Sequence, residues 1–121
     1  MTTRSGLVLV VDDDEMVRRL VRTVLEADDY KVLDAKDGVS ALDLLESTAP
    51  NVVILDVMMP GLDGVEVCRK IDHSQVKVVM LTARDDPVLE AACKEAGAAA
   101  FLTKPFSSTG LLDVIEKLGA S

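Results

Sequence analysis

Two short runs in this chain, Leu7–Val11 and residues 52–55, contain only Val, Leu and Ile. Each stops abruptly at carboxylate: Asp12-Asp13-Asp14 after the first and Asp56 after the second. A run of four or five residues with no polar member reads as a strand covered on both faces, as in a parallel sheet with helices above and below. Acids at the exits of two such strands lie at one rim of the sheet, where they repel one another unless a cation joins them. The carboxyl rim of parallel strands is also where open α/β sheets bind ligands. A divalent-metal site is therefore the first functional expectation.

Between these runs the pattern changes to a helical period. Across Glu15–Ala27, the residues Val17, Leu20, Val21, Val24 and Leu25 share one face. Lys31–Ala35 reads as a short strand and Asp37-Gly38 as a turn. A second helix carries Ala41, Leu42 and Leu45 and ends before Pro50. Residues 52–56 form the third strand, Pro60, Gly61, Asp63 and Gly64 mark a loop, and residues 65–71 a short helix. Residues 76–81 are apolar apart from Lys77 and read as a fourth strand. Asp86-Pro87 opens a helix with Pro in its first turn, running to Ala96 and closed by Gly97. Its Ala91, Ala92 and Ala96 offer little apolar area, so its hold on the sheet should be weak. Residues 99–103 form the fifth strand, and Ser107 or Ser108 caps a last helix striped with Leu111, Val114, Ile115 and Leu118.

Five such strand–helix units with short connections specify an α/β fold: a five-stranded parallel sheet, doubly wound, in three αβα layers. In the flavodoxin-like strand order 2-1-3-4-5, strands one and three are neighbours at the topological switch point. That order brings Asp12, Asp13 and Asp56 to one crevice. Thr82 leaves the fourth strand and Lys104 the fifth.

The 121 residues are expected to form a single domain, 1–121. A hydrophobic content of 49% argues against disorder despite a net charge of −8. With 21 acids against 13 bases, and no basic cluster beyond Arg18-Arg19 and Arg69-Lys70, direct nucleic-acid binding is not expected. No apolar stretch approaches a membrane span and no signal-peptide pattern follows Met1, so no membrane contact and a cytoplasmic location are expected. Cys68 and Cys93 lack C-x-x-C spacing and read as reduced, semi-buried small hydrophobes. His73, the only histidine, reads as a surface loop residue.

Three carboxylates, a hydroxyl and an ammonium thus converge on one rim. The acids can hold a hard cation such as Mg²⁺, with a backbone carbonyl after Asp56 as a further ligand. The Lys and Thr suit an incoming phosphoryl group, whose oxygens they can meet with charge and a hydrogen bond. An Asp carboxylate is a competent phosphoryl acceptor, forming an aspartyl phosphate.

Four segments carry these residues in order: Val10-Val11-Asp12-Asp13, Asp56 with Met59-Pro60-Gly61-Leu62-Asp63-Gly64, Leu81-Thr82-Ala83, and Thr103-Lys104-Pro105-Phe106. Together, over residues 7–118, they resemble the CheY-like receiver domain of two-component response regulators. The resemblance implies that Asp56 is the phosphoacceptor, taking its phosphoryl group from the phosphohistidine of a sensor histidine kinase or phosphotransfer protein. It implies Mg²⁺, with Mn²⁺ as a substitute, ligated by Asp13, Asp56 and the main-chain carbonyl of Met58, and by Asp12 largely through water. Lys104 would pair first with Asp56 and then with the phosphoryl group, and Thr82 would swing toward that group. Phe101 would turn inward behind Thr82 and signal to a downstream protein or output domain through the α4-β5-α5 face, that of the fourth helix, fifth strand and last helix. The Lys104-Pro105 bond is expected to be cis. Met58 and Arg84, two residues past Asp56 and two past Thr82, would tune the lifetime of the phosphorylated state by governing access of water.

The same resemblance implies a phosphoacceptor with Mg²⁺-dependent self-phosphorylation and autodephosphorylation, and not an enzyme with a separate substrate. A phosphorylation-dependent dimer is a further partner it allows, and the chain would be either a stand-alone receiver or part of a longer regulator. Three departures stand out. Phe101 lacks the hydroxyl of a Tyr, Ala99-Ala100 replaces residues that are often acidic, and the short segment 71–76 leaves the third helix truncated. Asp14 and Glu15 read as a helix start and Asp63 as a turn former. Two rivals fit poorly. A haloacid-dehalogenase-type phosphatase or phosphotransferase needs D-x-D-x-T, where this chain has Asp12-Asp13-Asp14-Glu15-Met16 and no cap insertion. A flavodoxin-like cofactor binder needs a hydroxyl- and Gly-rich loop where this chain has acids.

Overall fold

A computed structural model describes residues 6–83 and 86–118 of the chain. Five strands alternate with five helices: β1 (Leu7–Val11), α1 (Glu15–Ala27), β2 (Lys31–Ala35), α2 (Gly38–Ser47), β3 (Val52–Asp56), α3 (Gly64–Lys70), β4 (Lys77–Thr82), α4 (Pro87–Glu95), β5 (Ala100–Thr103) and α5 (Ser108–Lys117). The strands form one sheet in the order β2-β1-β3-β4-β5, and every neighbouring pair is parallel. This is the expected doubly wound architecture.

The pleat sorts the strand residues onto two faces. Val8, Val10, Val52, Ile54, Val79 and Leu81 pack with Val21 and Leu25 of α1 and with Leu111 and Ile115 of α5. The alternate residues, among them Leu9, Val11, Val53, Leu55, Val78 and Met80, pack with Ala41 of α2, Val67 and Cys68 of α3 and Cys93 of α4. Because the three central strands are covered on both faces, an unbroken apolar run is the only pattern that satisfies them.

Helix starts are fixed by side chains that meet the otherwise unpaired N–H groups of the first turn. Asp14 accepts from the Met16 N–H, Asp37 from Ser40, Asp63 from Glu66, Asp86 from Val88 and Leu89, and Ser107 from Gly110. The helical start of Asp14 is borne out. Asp37-Gly38 is not a free turn, because Asp37 caps α2 and Gly38 is its first residue. Likewise Asp63 is the cap of α3, a helix of seven residues as short as expected.

Three other expectations change. Leu20 is 46% exposed, at the flank of the α1 stripe that buries Val21 and Leu25. The fourth strand starts at Lys77 and takes in Thr82. His73 is half-buried: its Nε2–H donates to the Cys68 carbonyl at 2.7 Å, and its ring packs against Gly97, which sits at φ +109° after α4. That close contact, together with the positive φ, explains glycine at position 97. Both cysteines are free and buried, and burial pushes the Cys68 thiol up to about 11. Among the described residues, no helix is long and apolar enough to cross a membrane.

Candidate functional site

Strand register builds the site. Val11 pairs with Leu55, Asp56 with Leu81, and Thr82 with Thr103. One step past Val11 is Asp12, and one step past Thr103 is Lys104, so the residues singled out from sequence emerge side by side at the carboxyl rim. Asp12 is fully buried, Asp56 is 5% exposed and Thr82 is 1% exposed, whereas Asp13 faces solvent. One carboxylate oxygen from each of Asp12, Asp13 and Asp56 lies within 4.8 Å of the others.

The buried carboxylates are held at both oxygens or nearly so. Asp12 Oδ1 accepts from the Asp14 N–H at 2.9 Å, and its Oδ2 from Lys104 Nζ at 2.8 Å. Asp56 Oδ1 accepts from the Met58 N–H at 3.1 Å, while its Oδ2 lies 3.6 Å from Lys104 Nζ. Lys104 therefore pairs first with Asp12, not with Asp56 as expected. The ammonium reaches past the phosphoacceptor candidate to the carboxylate that solvent does not reach, where an unpaired charge would cost most.

Charge balance at the rim is incomplete. Burial, followed by the neighbouring Asp12 carboxylate, pushes the pKa of Asp56 up to about 6, and Lys104 and the Met58 N–H only partly oppose this. For Lys104, burial works against the charged form. The hydrogen bond that Lys104 donates to Asp12 and the charges of both acids outweigh that effect and hold its pKa above the ordinary lysine value. Three acids against one ammonium leave the pocket in want of a further cation. Clustered hard oxygen donors fit a divalent ion such as Mg²⁺.

The loop after β3 comes close to the site because of a glycine. The Gly64 N–H donates to the Val57 carbonyl at 3.1 Å. A Cβ at position 64 would collide with the Asp56 carbonyl and lie 2.8 Å from Val57 Cα. Gly64 is thus the residue that lets α3 begin directly against the exit of β3. Met58, between them, is exposed, with its backbone beside Asp56. On the far side, the Lys104 N–H donates to the Thr82 carbonyl at 2.6 Å, and the Lys104-Pro105 bond is cis, as expected.

Phe101, expected at a switch, is half-buried on β5 and packs at the edge of the α2–α3–α4 face. A cavity of about 240 Å³ adjoins it, lined by Glu90, Cys93, Lys94 and the segment 98–101. Of α4 itself, only Cys93 is fully buried within the helix, in keeping with an Ala-rich helix lightly held. Arg84, expected to tune access of water, lies outside the described residues. Sequence reasoning missed Arg18, whose Nη1 donates to the Asp12 carbonyl at 2.7 Å. Its only trace in the sequence is the i, i+4 spacing of Arg18 and Arg22 on the helix that follows the acids.

Comparison with known proteins agrees with this geometry. The family model for the response regulator receiver domain matches residues 8–116. The response regulator MprA of Mycobacterium sp. (strain KMS) is 47% identical over 107 residues, which span 87% of this chain and 46% of that protein. The transcriptional regulatory protein CseB of Streptomyces avermitilis is 43% identical over 106 residues, covering 87% of this chain and 45% of that one. The chain thus spans about half the length of these curated relatives. Among solved structures, the chemotaxis protein CheY4 of Vibrio cholerae superposes with a TM-score of 0.90 at 32% identity, covering 94% of this chain and 98% of that one. The receiver domain of the Francisella response regulator 1452 gives 0.86 at 30% identity, covering 94% and 96%.

Proposed function

This chain belongs to the family of response regulator receiver domains, and on that footing we propose that Asp56 is its phosphoacceptor. The observation that carries the reading is the buried, electrostatically unsatisfied carboxylate of Asp56, beside Asp12, Asp13 and Lys104 and with its Oδ1 fixed by the Met58 N–H. Asp56 Oδ2 attacks the phosphorus of a phosphohistidine. The P–O bond forms as the P–N bond breaks, and the imidazole leaves with the electron pair. Lys104, 3.6 Å from Asp56 Oδ2, can shift from Asp12 toward the incoming phosphoryl oxygens. Thr82, at the end of β4, supplies a hydroxyl from the adjoining strand.

Asp12, Asp13, Asp56 and the Met58 carbonyl would hold Mg²⁺, or Mn²⁺ in its place, and the ion would neutralise charge on the phosphoryl oxygens. Transfer from a small phosphodonor and hydrolysis of the product belong to the same proposal, which makes the domain a signalling phosphoacceptor, not an enzyme with a separate substrate. Met58 would tune access of water to the product, and Arg84 shares that role by its place two residues past Thr82.

A sensor histidine kinase or phosphotransfer protein is the proposed donor. In support, Met16, Val39, Val88 and Met58 are exposed. The first three are each the second residue of a helix, and Met58 follows β3, so all four lie on the carboxyl rim of the sheet, the rim that carries the acidic pocket. Apolar groups around a charged centre suit a partner that lays a helical surface over the site while presenting a phosphohistidine. For output, movement of Thr82 and Phe101 toward the site would alter the lightly held α4 and with it the α4-β5-α5 face. CseB is described as a transcriptional regulator of about twice this length. By that likeness, residues 1–121 are one receiver domain that reports to a downstream protein or output domain, or dimerises on phosphorylation, with no nucleic-acid contact of its own.

Incubation with acetyl phosphate and Mg²⁺, read by intact mass, tests the reading. A phosphate-sized adduct that vanishes in Asp56→Asn and in EDTA supports it. An adduct that survives the substitution refutes it.

A further inference from the structure

Asp12 is the fully buried member of the acid cluster, and it is held at four points. Its N–H donates to the Ala35 carbonyl at 3.2 Å, its Oδ1 accepts from the Asp14 N–H at 2.9 Å and its Oδ2 from Lys104 Nζ at 2.8 Å. The fourth point is its own carbonyl, which accepts from Arg18 Nη1 at 2.7 Å. Arg18 reaches it from the first turn of α1, with a side chain only 15% exposed.

The guanidinium does not reach the carbonyl unaided. Its Nε donates to Asp34 Oδ2 at 3.2 Å, and Asp34 stands on β2 in register with Val10 of β1. Arg22, one helical turn along, donates Nη2 to Asp34 Oδ1 at 3.2 Å and Nη1 to Glu26 Oε2 at 3.1 Å. A chain of contacts thus runs from α1 through the edge strand to the backbone of Asp12. We infer that Arg18, oriented by Asp34, is a positioning residue for the cation and phosphoryl site. This role depends on Asp12, Asp13 and Asp56 forming that site.

The chemistry of the side chain supports the assignment. A planar guanidinium can donate from Nε and Nη1 to two acceptors at once with fixed geometry, whereas a lysine offers one point charge on a flexible stem. Groups that orient a metal-binding residue without touching the ion typically change affinity by about 10- to 100-fold when removed. Arg22 serves as an internal control, since it carries the same charge and touches the same Asp34 but donates its other hydrogen bond to Glu26, where Arg18 donates to the Asp12 carbonyl.

The test is Mn²⁺ binding by the folded chain, followed through the electron paramagnetic resonance signal of free Mn²⁺, with folding at the assay temperature checked by circular dichroism. Asp13→Asn should lose most of the affinity. Arg18→Met should weaken it by about tenfold, Arg18→Lys by at least about threefold although charge is kept, and Arg22→Met by less than about twofold. The clamp is overturned if Asp13→Asn weakens binding while Arg18→Met and Arg18→Lys bind like wild type. It is overturned equally if Arg22→Met loses as much as Arg18→Met, which would mark a charge effect without positioning. If Arg18→Met does not fold, Arg18→Lys decides the question alone. Wild-type protein that binds no Mn²⁺, or Asp13→Asn that binds like wild type, would overturn the cation site itself, and the clamp with it.

Discussion

Removing the charge of Asp56 should stabilise the metal-free protein, and only at a pH where that charge exists. Burial and the Asp12 carboxylate raise the Asp56 pKa from an ordinary 3.8 to about 6 in the folded state. Between these values the folded chain binds more protons than the unfolded chain, so this group's contribution to stability is full below about pH 4 and is lost as pH rises through about 6. At about 1.4 kcal/mol per pH unit, the total loss at pH 8 is about 3 kcal/mol. Asn keeps an oxygen for the Met58 N–H, leaves the Asp12–Lys104 pair in place and carries no charge. Asp56→Asn in EDTA at pH 8 should therefore melt about 8 to 12 °C above wild type, by the size scaling of unfolding entropy. The gap should close toward pH 4, where wild-type Asp56 is protonated in the folded state and nearly half protonated in the unfolded one. Calorimetric melts of the two proteins from pH 4 to pH 8 read this directly, because the titration of every other group largely cancels in the difference. Millimolar Mg²⁺ at pH 8 should raise the wild-type melting temperature and leave that of the variant nearly unchanged. A variant no more stable than wild type at pH 8, or a gap of equal size at pH 4, would refute the electrostatic reasoning.

Other perturbations probe the remaining parts of the site. Lys104→Met strips the buried Asp12 of its cation and should destabilise the metal-free chain by about 2 kcal/mol in urea titrations at pH 8, part of which Mg²⁺ restores. Gly64→Ala forces a Cβ against the backbone of Asp56 and Val57 and should cost about 2 kcal/mol or more in the same titration, with loss of acetyl phosphate reactivity. Phe101→Ala should cost about 1 to 2 kcal/mol by truncating a half-buried side chain. It should leave the phosphate adduct intact in mass spectra while weakening phosphorylation-dependent association, measured as dimerisation by sedimentation. Equal association in both proteins would remove Phe101 from the switch.

The fold was legible because the central strands leave so little choice. Val8 and Ile54 are buried on one face of the sheet and Leu9, Val53 and Leu55 on the other, so an unbroken apolar run marks strand and parallel sheet together, and the acids that end these strands mark the rim. What could not be read was anything that depends on where a long side chain ends. Lys104 could be placed at the rim, but its preference for Asp12 follows from which carboxylate is more deeply buried, a quantity fixed only by packing. Arg18 looked like half of a surface basic pair because its partners, the Asp12 carbonyl and Asp34, come from the β1 exit and the neighbouring strand. His73 looked like a loop residue because the chain that covers it, at Gly97, is distant in sequence. Leu20 matched the helical period and still faces solvent, since period alone does not fix how wide a stripe the sheet can cover.

The most direct test of the central claim locates the acyl phosphate on the chain. After reaction with acetyl phosphate and Mg²⁺, borohydride reduces an aspartyl phosphate to homoserine and releases inorganic phosphate. Peptide sequencing by tandem mass spectrometry then identifies the position. Homoserine at residue 56 alone, absent without Mg²⁺, is the predicted result. Homoserine at residue 12 or 13, or none at any position after demonstrated turnover of the phosphodonor, would contradict it.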